Sequence, residues 1–286
     1  MRNMKILLTG SEGQIGKYFS SVLYERGIDF VGFDLANGQD LQKPESILKS
    51  IAGCSRIIHL ALASGDQTPN SMGVNLKGLF NLLSIAETNS IERILYLSSV
   101  DVLGIFKGES RPSYFPIDDE HPCLPSTEYG MTKFLGEEMC RSWSQRTGIP
   151  SIALRPPGVW FPKTYDQIAK YRRECPSYEW DPYWEYGAFI DVRDLFEVSL
   201  KALTVQTKKN HSRYLVSSLD ITTSGRTSLE LAGWLCPNVM WQETRGRYKE
   251  DLYSSLVDCG PAMQDLEWKP EYSWKRYHES LGIAKI

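Results

Sequence analysis

The amino-acid sequence predicts an α/β fold, a doubly wound parallel sheet with helices on both faces, carrying a small and mostly helical C-terminal substrate lobe. Three observations lead there. Short, continuously apolar runs alternate with segments of helical period from Lys5 to Leu154, the pattern of strands buried on both faces. A glycine-rich turn lies between the first such strand and the first helix. After Pro156-Pro157 the alternation breaks, and residues 160–189 alone hold ten of the thirty-three aromatic side chains.

The elements follow in order. Lys5-Ile6-Leu7-Leu8-Thr9 reads as a strand, residues Gly10 to Gly16 as a turn, and the amphipathic run through Tyr24 as a helix. Phe30-Val31-Gly32-Phe33-Asp34 then completes one βαβ unit. Pro44, well suited to a first helical turn, opens a helix to Ile51, and Arg56-Ile57-Ile58-His59-Leu60 is the next buried strand. A long helix is expected around Val74–Thr88, a strand at Arg93–Leu97, a helix at about Tyr129–Gln145 and a strand at Ser151–Leu154. Residues 158–189 mix prolines, aromatics and charge; Phe189-Ile190-Asp191-Val192-Arg193-Asp194 leads into a helix ending near Leu203, and Arg213–Val216 is the last strand. The remaining residues read as helices and loops. The expected division is a nucleotide-binding core, residues 1–159 plus 190–218, and a substrate lobe, residues 160–189 plus 219–286.

Composition narrows the functional classes. With 286 residues, 42% hydrophobic and 23% charged, the chain can bury a sizeable core, which excludes disorder and collagen. Thirty-two basic against thirty-five acidic side chains give a formal charge of -3, so no nucleic-acid partner or anionic membrane surface is expected. No apolar run approaches the roughly twenty residues of a membrane span, nor a signal-peptide core, and the expectation is a soluble cytoplasmic protein. The six cysteines are scattered without metal-ligand spacing, which predicts reduced thiols and no metal.

Thr9-Gly10-Ser11-Glu12-Gly13-Gln14-Ile15-Gly16 sits where glycines let backbone approach a pyrophosphate and a helix N-terminus offers N–H donors to it. A tight turn with close helix packing would use the same glycines. Asp34 ends the following strand, placed to accept from both ribose hydroxyls of an adenosine and to repel a 2′-phosphate. No arginine follows in Leu35-Ala36-Asn37-Gly38, so NAD is favoured over NADP. Tyr129 and Lys133, four apart, share one face of a helix. A lysine one turn away, together with a positive nicotinamide ring, would favour the phenolate that alcohol oxidation needs as a base near neutral pH. Ser98-Ser99 follows the strand beginning at Arg93, at the rim where open parallel sheets bind ligands, and a serine there can hold a substrate oxygen.

On these residues the sequence resembles the extended short-chain dehydrogenase/reductases, the NAD-dependent epimerase/dehydratase family with its Rossmann fold, from Ile6 to about Leu203. A weaker echo lies at Leu266-Glu267-Trp268-Lys269-Pro270. The resemblance implies Tyr129 as acid/base, Lys133 as its tuner and ribose ligand, and Ser99 as the hydroxyl that polarises substrate. It further implies Asp40-Leu41 at the adenine, and Leu60, Ala61 and Leu62 along the cofactor. His59 and Asn75 are expected to keep local structure, and a homodimer through the Val74–Thr88 helix and the helix of Tyr129 is implied.

Departures from the family pattern refine the expected substrate. Dehydratases carry an acidic pair where this chain has Val100-Asp101, which argues against dehydration and leaves Asp101 either a substrate contact or a strand-end acid. Gly158 stands where many nucleotide-sugar enzymes have an asparagine, and the segment from Pro162 to Phe189 is short. A small, unactivated, sugar-like substrate is therefore expected. Uronate dehydrogenases resemble the chain at His59–Ser64 and Ser98–Gly104, which implies Ser64 at the substrate; the 4-keto-sugar reductases share the compressed stretch from Asp34 to Asp40. The aromatics of residues 160–189 either stack on a ligand or form the core of the lobe, and Arg172 is a candidate carboxylate fork. The expected function is NAD-dependent hydride transfer between a sugar-like alcohol, hemiacetal or ketone and the nicotinamide. An epimerase and a redox-silent dinucleotide sensor are the alternatives.

Overall fold

The computed structural model describes residues 4–63, 70–174, 185–207, 209–223, 225–242 and 246–282. In chain order the elements are β1 (Lys5–Thr9), α1 (Gln14–Glu25), β2 (Asp29–Phe33), α2 (Pro44–Ile51), β3 (Arg56–His59), α3 (Ser71–Glu87) and β4 (Arg93–Leu97). There follow β5 (Tyr114–Phe115), α4 (Glu128–Thr147), β6 (Ser151–Arg155), β7 (Val159–Trp160), α5 (Pro162–Glu174), β8 (Ile190–Asp191), α6 (Val192–Thr204) and β9 (His211–Leu215). The chain continues through α7 (Ser228–Leu235), β10 (Met240–Trp241), α8 (Arg247–Glu250), α9 (Gly260–Asp265) and α10 (Trp274–Ser280).

The strands β2-β1-β3-β4-β6-β9 form one sheet in that order. β1 pairs in parallel with both β2 and β3, placing Leu7 between Val31 and Ile57. Because β2 lies on one side of β1 and β3 on the other, the strand order reverses there, and a crevice opens beyond the carboxyl ends of β1 and β3. The apolar runs have their predicted cause. Ile6, Leu7, Leu8, Ile57, Ile58, Ile94 and Leu95 are all buried on a sheet whose successive side chains point to opposite faces, so both faces are covered.

By the compactness of their contacts, residues 1–98, 127–154 and 199–213 make one unit, and residues 99–126, 155–198 and 214–286 a second. In the first, Leu7, Ile57, Ile94, Tyr96 and Ala153 meet Ile47 and Ile51 of α2, Leu79, Leu82, Leu83 and Ala86 of α3, and Cys140 and Trp143 of α4 in a single core. Thr127 caps α4 by accepting from the Gly130 N–H at 3.0 Å, and Gly148 at φ 74 ends it by donating to the Ser144 carbonyl.

The second unit has an aromatic core. Trp160 stacks on Phe189 with centroids 4.4 Å apart, Tyr165 and Trp274 complete the cluster, and Ile168 and Ala169 close it. Most of the described rings of residues 160–189 are thus packing groups; Tyr178, Trp180, Tyr183 and Trp184 fall outside the described residues. Asp220 fastens α10 by accepting from the Trp274 and Lys275 N–H groups, and Asp194 accepts from those of Glu271 and Tyr272 at 2.9 Å each. α5 was not expected from the sequence, although Pro162 at its start and Arg172-Arg173 in its last turn are ordinary helix-end signals. The β5–β10 pair also escaped prediction, because two-residue strands joined across such separation leave no local periodicity.

Candidate functional site

In the first unit a cavity of about 230 Å³ lies at the β1/β3 crevice, lined among others by Gly10, Gly13, Asp34, Asp40, Leu41, Leu60, Ala61, Leu62, Asn75 and Gly78. Its floor requires glycine. Gly10 has φ +75, and a Cβ there would stand 2.6 Å from the Ala61 nitrogen; a Cβ on Gly16 would stand 2.0 Å from the Gly10 carbonyl oxygen. Gln14, Ile15 and Gly16 form the first turn of α1, whose N–H groups lack intrahelical partners and carry the positive end of the helix dipole.

Side chains around the cavity are held by backbone. The Asp34 carboxylate accepts from the Glu12 N–H at 3.0 Å and the Ala36 N–H at 2.9 Å, leaving further lone pairs on both oxygens. Asp40 accepts from the Gln42 N–H at 2.9 Å, and the Leu41 carbonyl accepts from the Asn81 amide at 3.0 Å. Asn75 makes a two-way clasp with Ala63, accepting from its N–H at 2.7 Å and donating to its carbonyl at 3.0 Å. His59 shares a 2.7 Å hydrogen bond with the Thr9 hydroxyl, and burial, seconded by the Lys133 charge, pulls its pKa down to about 3. It is therefore a neutral packing group at any ordinary pH.

α4 brings Tyr129 and Lys133 onto one face. Tyr129 is 38% exposed, whereas Lys133 is buried. The Lys133 Nζ donates to the Leu97 carbonyl at 2.6 Å and lies 5.8 Å from the centre of the Tyr129 ring and 5.3 Å from that of Tyr96. Burial lowers the Lys133 pKa to about 8, with the Glu137 charge opposing the fall.

The model of the NAD dependent epimerase/dehydratase family matches residues 6–216. The chain belongs to that family. It is 26% identical to a uronate dehydrogenase of Pseudomonas syringae pv. tomato over 53% of this chain, so it spans little more than half (58%) of that relative. It is 27% identical to the uncharacterized UDP-glucose epimerase YtcB of Bacillus subtilis over 95% of both chains. Among solved structures, a short-chain dehydrogenase/reductase superfamily protein of Agrobacterium tumefaciens with bound NAD shares the fold at TM-score 0.70 and 19% identity, covering 96% of this chain and 95% of that one.

As a member of the NAD dependent epimerase/dehydratase family, the chain is expected to hold a dinucleotide, and the cavity fits one half of it. The glycine floor leaves room for a pyrophosphate, Asp34 retains acceptor capacity, and among the described residues no lysine or arginine lines the cavity. After β2 the chain makes a 3-10 turn at Leu35–Asn37, whose cap is the Asp34 carboxylate, and runs on through Asp40 to α2.

The second unit of this family member carries the remaining candidates. Ser99 is buried, opens a 3-10 turn at Val100–Leu103, and accepts from the Asp101 N–H at 3.1 Å. Asp101, also buried, forms an ion pair with Lys107. Gly158 donates its N–H to the buried carboxylate of Glu185, and a Cβ at Gly158 would stand 2.7 Å from that carboxylate oxygen, so Glu185 fills the room that an asparagine side chain would need. The Glu185 pKa rises to about 7, mainly through burial and further through the Asp101 charge, with the Gly158 N–H and Lys107 pulling the other way. Arg172 donates to the Thr223 carbonyl at 2.7 Å and lies 4.8 Å above the Trp274 ring. Ser64 lies outside the described residues.

Glu185 yields a pH prediction. Its folded pKa lies above the ordinary value of 4.5, so its share of stability is complete below about pH 4.5 and is lost as pH rises through about 7. Glu185→Gln, neutral throughout, is expected to melt near the wild type at pH 5 and a few degrees above it at pH 8.5. Thermal denaturation at the two pH values checks this; an equal gap at both would be the contrary result.

Sequence reading missed Glu185 and Glu137. For Glu137 a signal existed, since an acid four residues after Lys133 falls on the same helical face. For Glu185 there was none, because its partner Gly158 is remote in sequence.

Proposed function

We propose that the protein is an NAD-dependent oxidoreductase that moves a hydride between a small sugar-like alcohol, hemiacetal or ketone and the nicotinamide. The observation that carries this is the buried ammonium of Lys133, fixed by the Leu97 carbonyl one turn from the exposed Tyr129, in the same unit as the glycine-floored cavity. When bound, the nicotinamide supplies hydride chemistry. Tyr129 takes the proton of the substrate hydroxyl in oxidation and returns it in reduction. Lys133 favours the phenolate by its charge, and Ser99 orients the substrate oxygen. Gly10, Gly13, Gln14, Ile15 and Gly16 hold the pyrophosphate, Asp34 the adenosine ribose, and Asp40, Leu41, Leu60, Ala61 and Leu62 line the rest. Residues 160–189 with 219–286 serve as the substrate lobe. Exposed Phe80 on α3 and Met131 and Leu135 on α4 support a homodimer through these helices.

The acids Asp34 and Asp40, with no cation among the described lining residues, favour NAD over NADP. In a thermal-shift screen, saturating NAD is expected to raise the melting temperature and NADP to raise it less, by mass action on the native state. With NAD present, free uronates and other unactivated sugars should raise it further. A shift only with nucleotide sugars would replace the small-substrate reading, and an equal response to NADP would remove the assignment to Asp34. The full-length likeness to YtcB favours an epimerase as second reading. Epimerisation yields no net NADH, so absorbance at the NADH band during turnover separates the two.

A further inference from the structure

Behind Tyr129 and Lys133 lies a buried carboxylate that the proposed chemistry does not use. Glu137 is 1% exposed, lies one helical turn beyond Lys133, and accepts from the Ser98 hydroxyl at 2.5 Å. Ser98 is itself held by its N–H donating to the Leu154 carbonyl at 2.8 Å. The helix comes close to the sheet here, since a Cβ on Gly136 would stand 2.2 Å from the Tyr96 hydroxyl. Taking a carboxylate out of water is costly unless hydrogen bonds and an opposite charge offset it, and Lys133 is a buried cation on the same face.

We propose that Glu137 is a positioning residue, the fixed counter-charge of Lys133, locked by Ser98 so that the ammonium stays charged and directed at the Leu97 carbonyl one turn from Tyr129. Ser98 thereby gains a role distinct from that of Ser99: it orients the carboxylate that sustains the lysine. The inference rests on Tyr129 and Lys133 being the reacting pair, but its test reads stability rather than turnover, so the two can fail separately.

Among the described residues, the groups that face this pair come from four elements. Tyr96 and Ser98 belong to β4 and its end, His59 to β3, Tyr129 and Cys140 to α4, and His211 to β9. Burial lowers His59 to about 3 and His211 to about 4, and raises the Cys140 thiol and the Tyr96 phenol above their ordinary values. With Tyr129 replaced by Phe, Lys133 is the member of this group that loses its proton as pH rises from 7 to 9.5.

The experiment is a double-mutant cycle of Glu137→Gln and Lys133→Met, all four proteins carrying Tyr129→Phe, followed by thermal denaturation. At pH 7, E137Q is expected to lower the melting temperature by about 5 °C or more where Lys133 is present, because one partner of a buried pair is left alone. In the K133M background the same change should cost nothing or raise it. As pH approaches 9.5 the gap in the Lys133 background should close, since the lysine is then neutral. Folding of E137Q only in the K133M background would support the proposal equally. Equal losses in both backgrounds, a gap that ignores pH, or failure to fold in both would overturn it and leave Glu137 a packing group.

Discussion

Tyr129→Phe is expected to lower kcat by roughly 10²–10⁴-fold on whichever sugar responds in the thermal-shift screen, the usual contribution of a positioned acid/base. NAD binding should be nearly unchanged. The reasoning is geometric. The ring remains at the start of α4 beside the Lys133 ammonium, 5.8 Å from its centre, while the one atom that can exchange a proton is gone. Stopped-flow or steady-state absorbance at the NADH band measures the first effect, and the NAD-dependent rise in melting temperature measures the second. A fully active variant would remove Tyr129 from the reaction. A variant that loses NAD binding together with activity would mean that the phenol holds the cofactor rather than the proton.

Gly16→Ala should have the largest effect on the cofactor site. The added methyl would stand 2.0 Å from the Gly10 carbonyl oxygen, a backbone atom fixed by the Gly10 N–H donating to the Phe33 carbonyl at 2.8 Å. No side chain can rotate aside, so α1 must back away from β1. Overpacking of this kind costs typically about 1–3 kcal/mol, and a fall of about 5 °C in melting temperature is expected, with NAD affinity at least about tenfold weaker. Gly233→Ala in α7 is the control, because a Cβ there meets nothing within 4 Å and alanine favours a helix. It should melt at or slightly above the wild-type temperature. Similar losses from both changes would mean that helix α1 is not pinned at the turn.

The parts that were legible in the sequence are those whose physics is local. Leu7 and Ile57 announce buried strands because each sits in an apolar run short enough for a strand and bounded by turn residues. Pro44 and Ile51 mark α2 because proline fixes a first turn and the helical period ends at the isoleucine. Gly10, Gly16 and Asp34 are readable because their spacing is set by one βαβ unit. The illegible parts depend on distant partners. Met240 and Trp241 become a strand only against Tyr114 and Phe115, and Gly158 acquires meaning only from Glu185. The role of Trp160 and Phe189 as core rather than ligand-stacking rings needed the position of Trp274, more than eighty residues further on. Glu137 occupies an intermediate place: its spacing from Lys133 was visible, but its burial was not.

The way the two compact units divide the chain has a consequence for biosynthesis. The chain passes from one unit to the other after Ser98, Ser126, Leu154, Val198 and Arg213. On a ribosome the N-terminal ninety-eight residues emerge long before Ser199–Arg213, which complete the same unit. The glycine turn and the lysine that are proposed to serve one cofactor are thus translated early but have to wait for a late segment. Nascent chains halted before residue 213 should consequently depend on chaperones, whose task is to shield the uncovered apolar strands until the final stretch of the unit arrives.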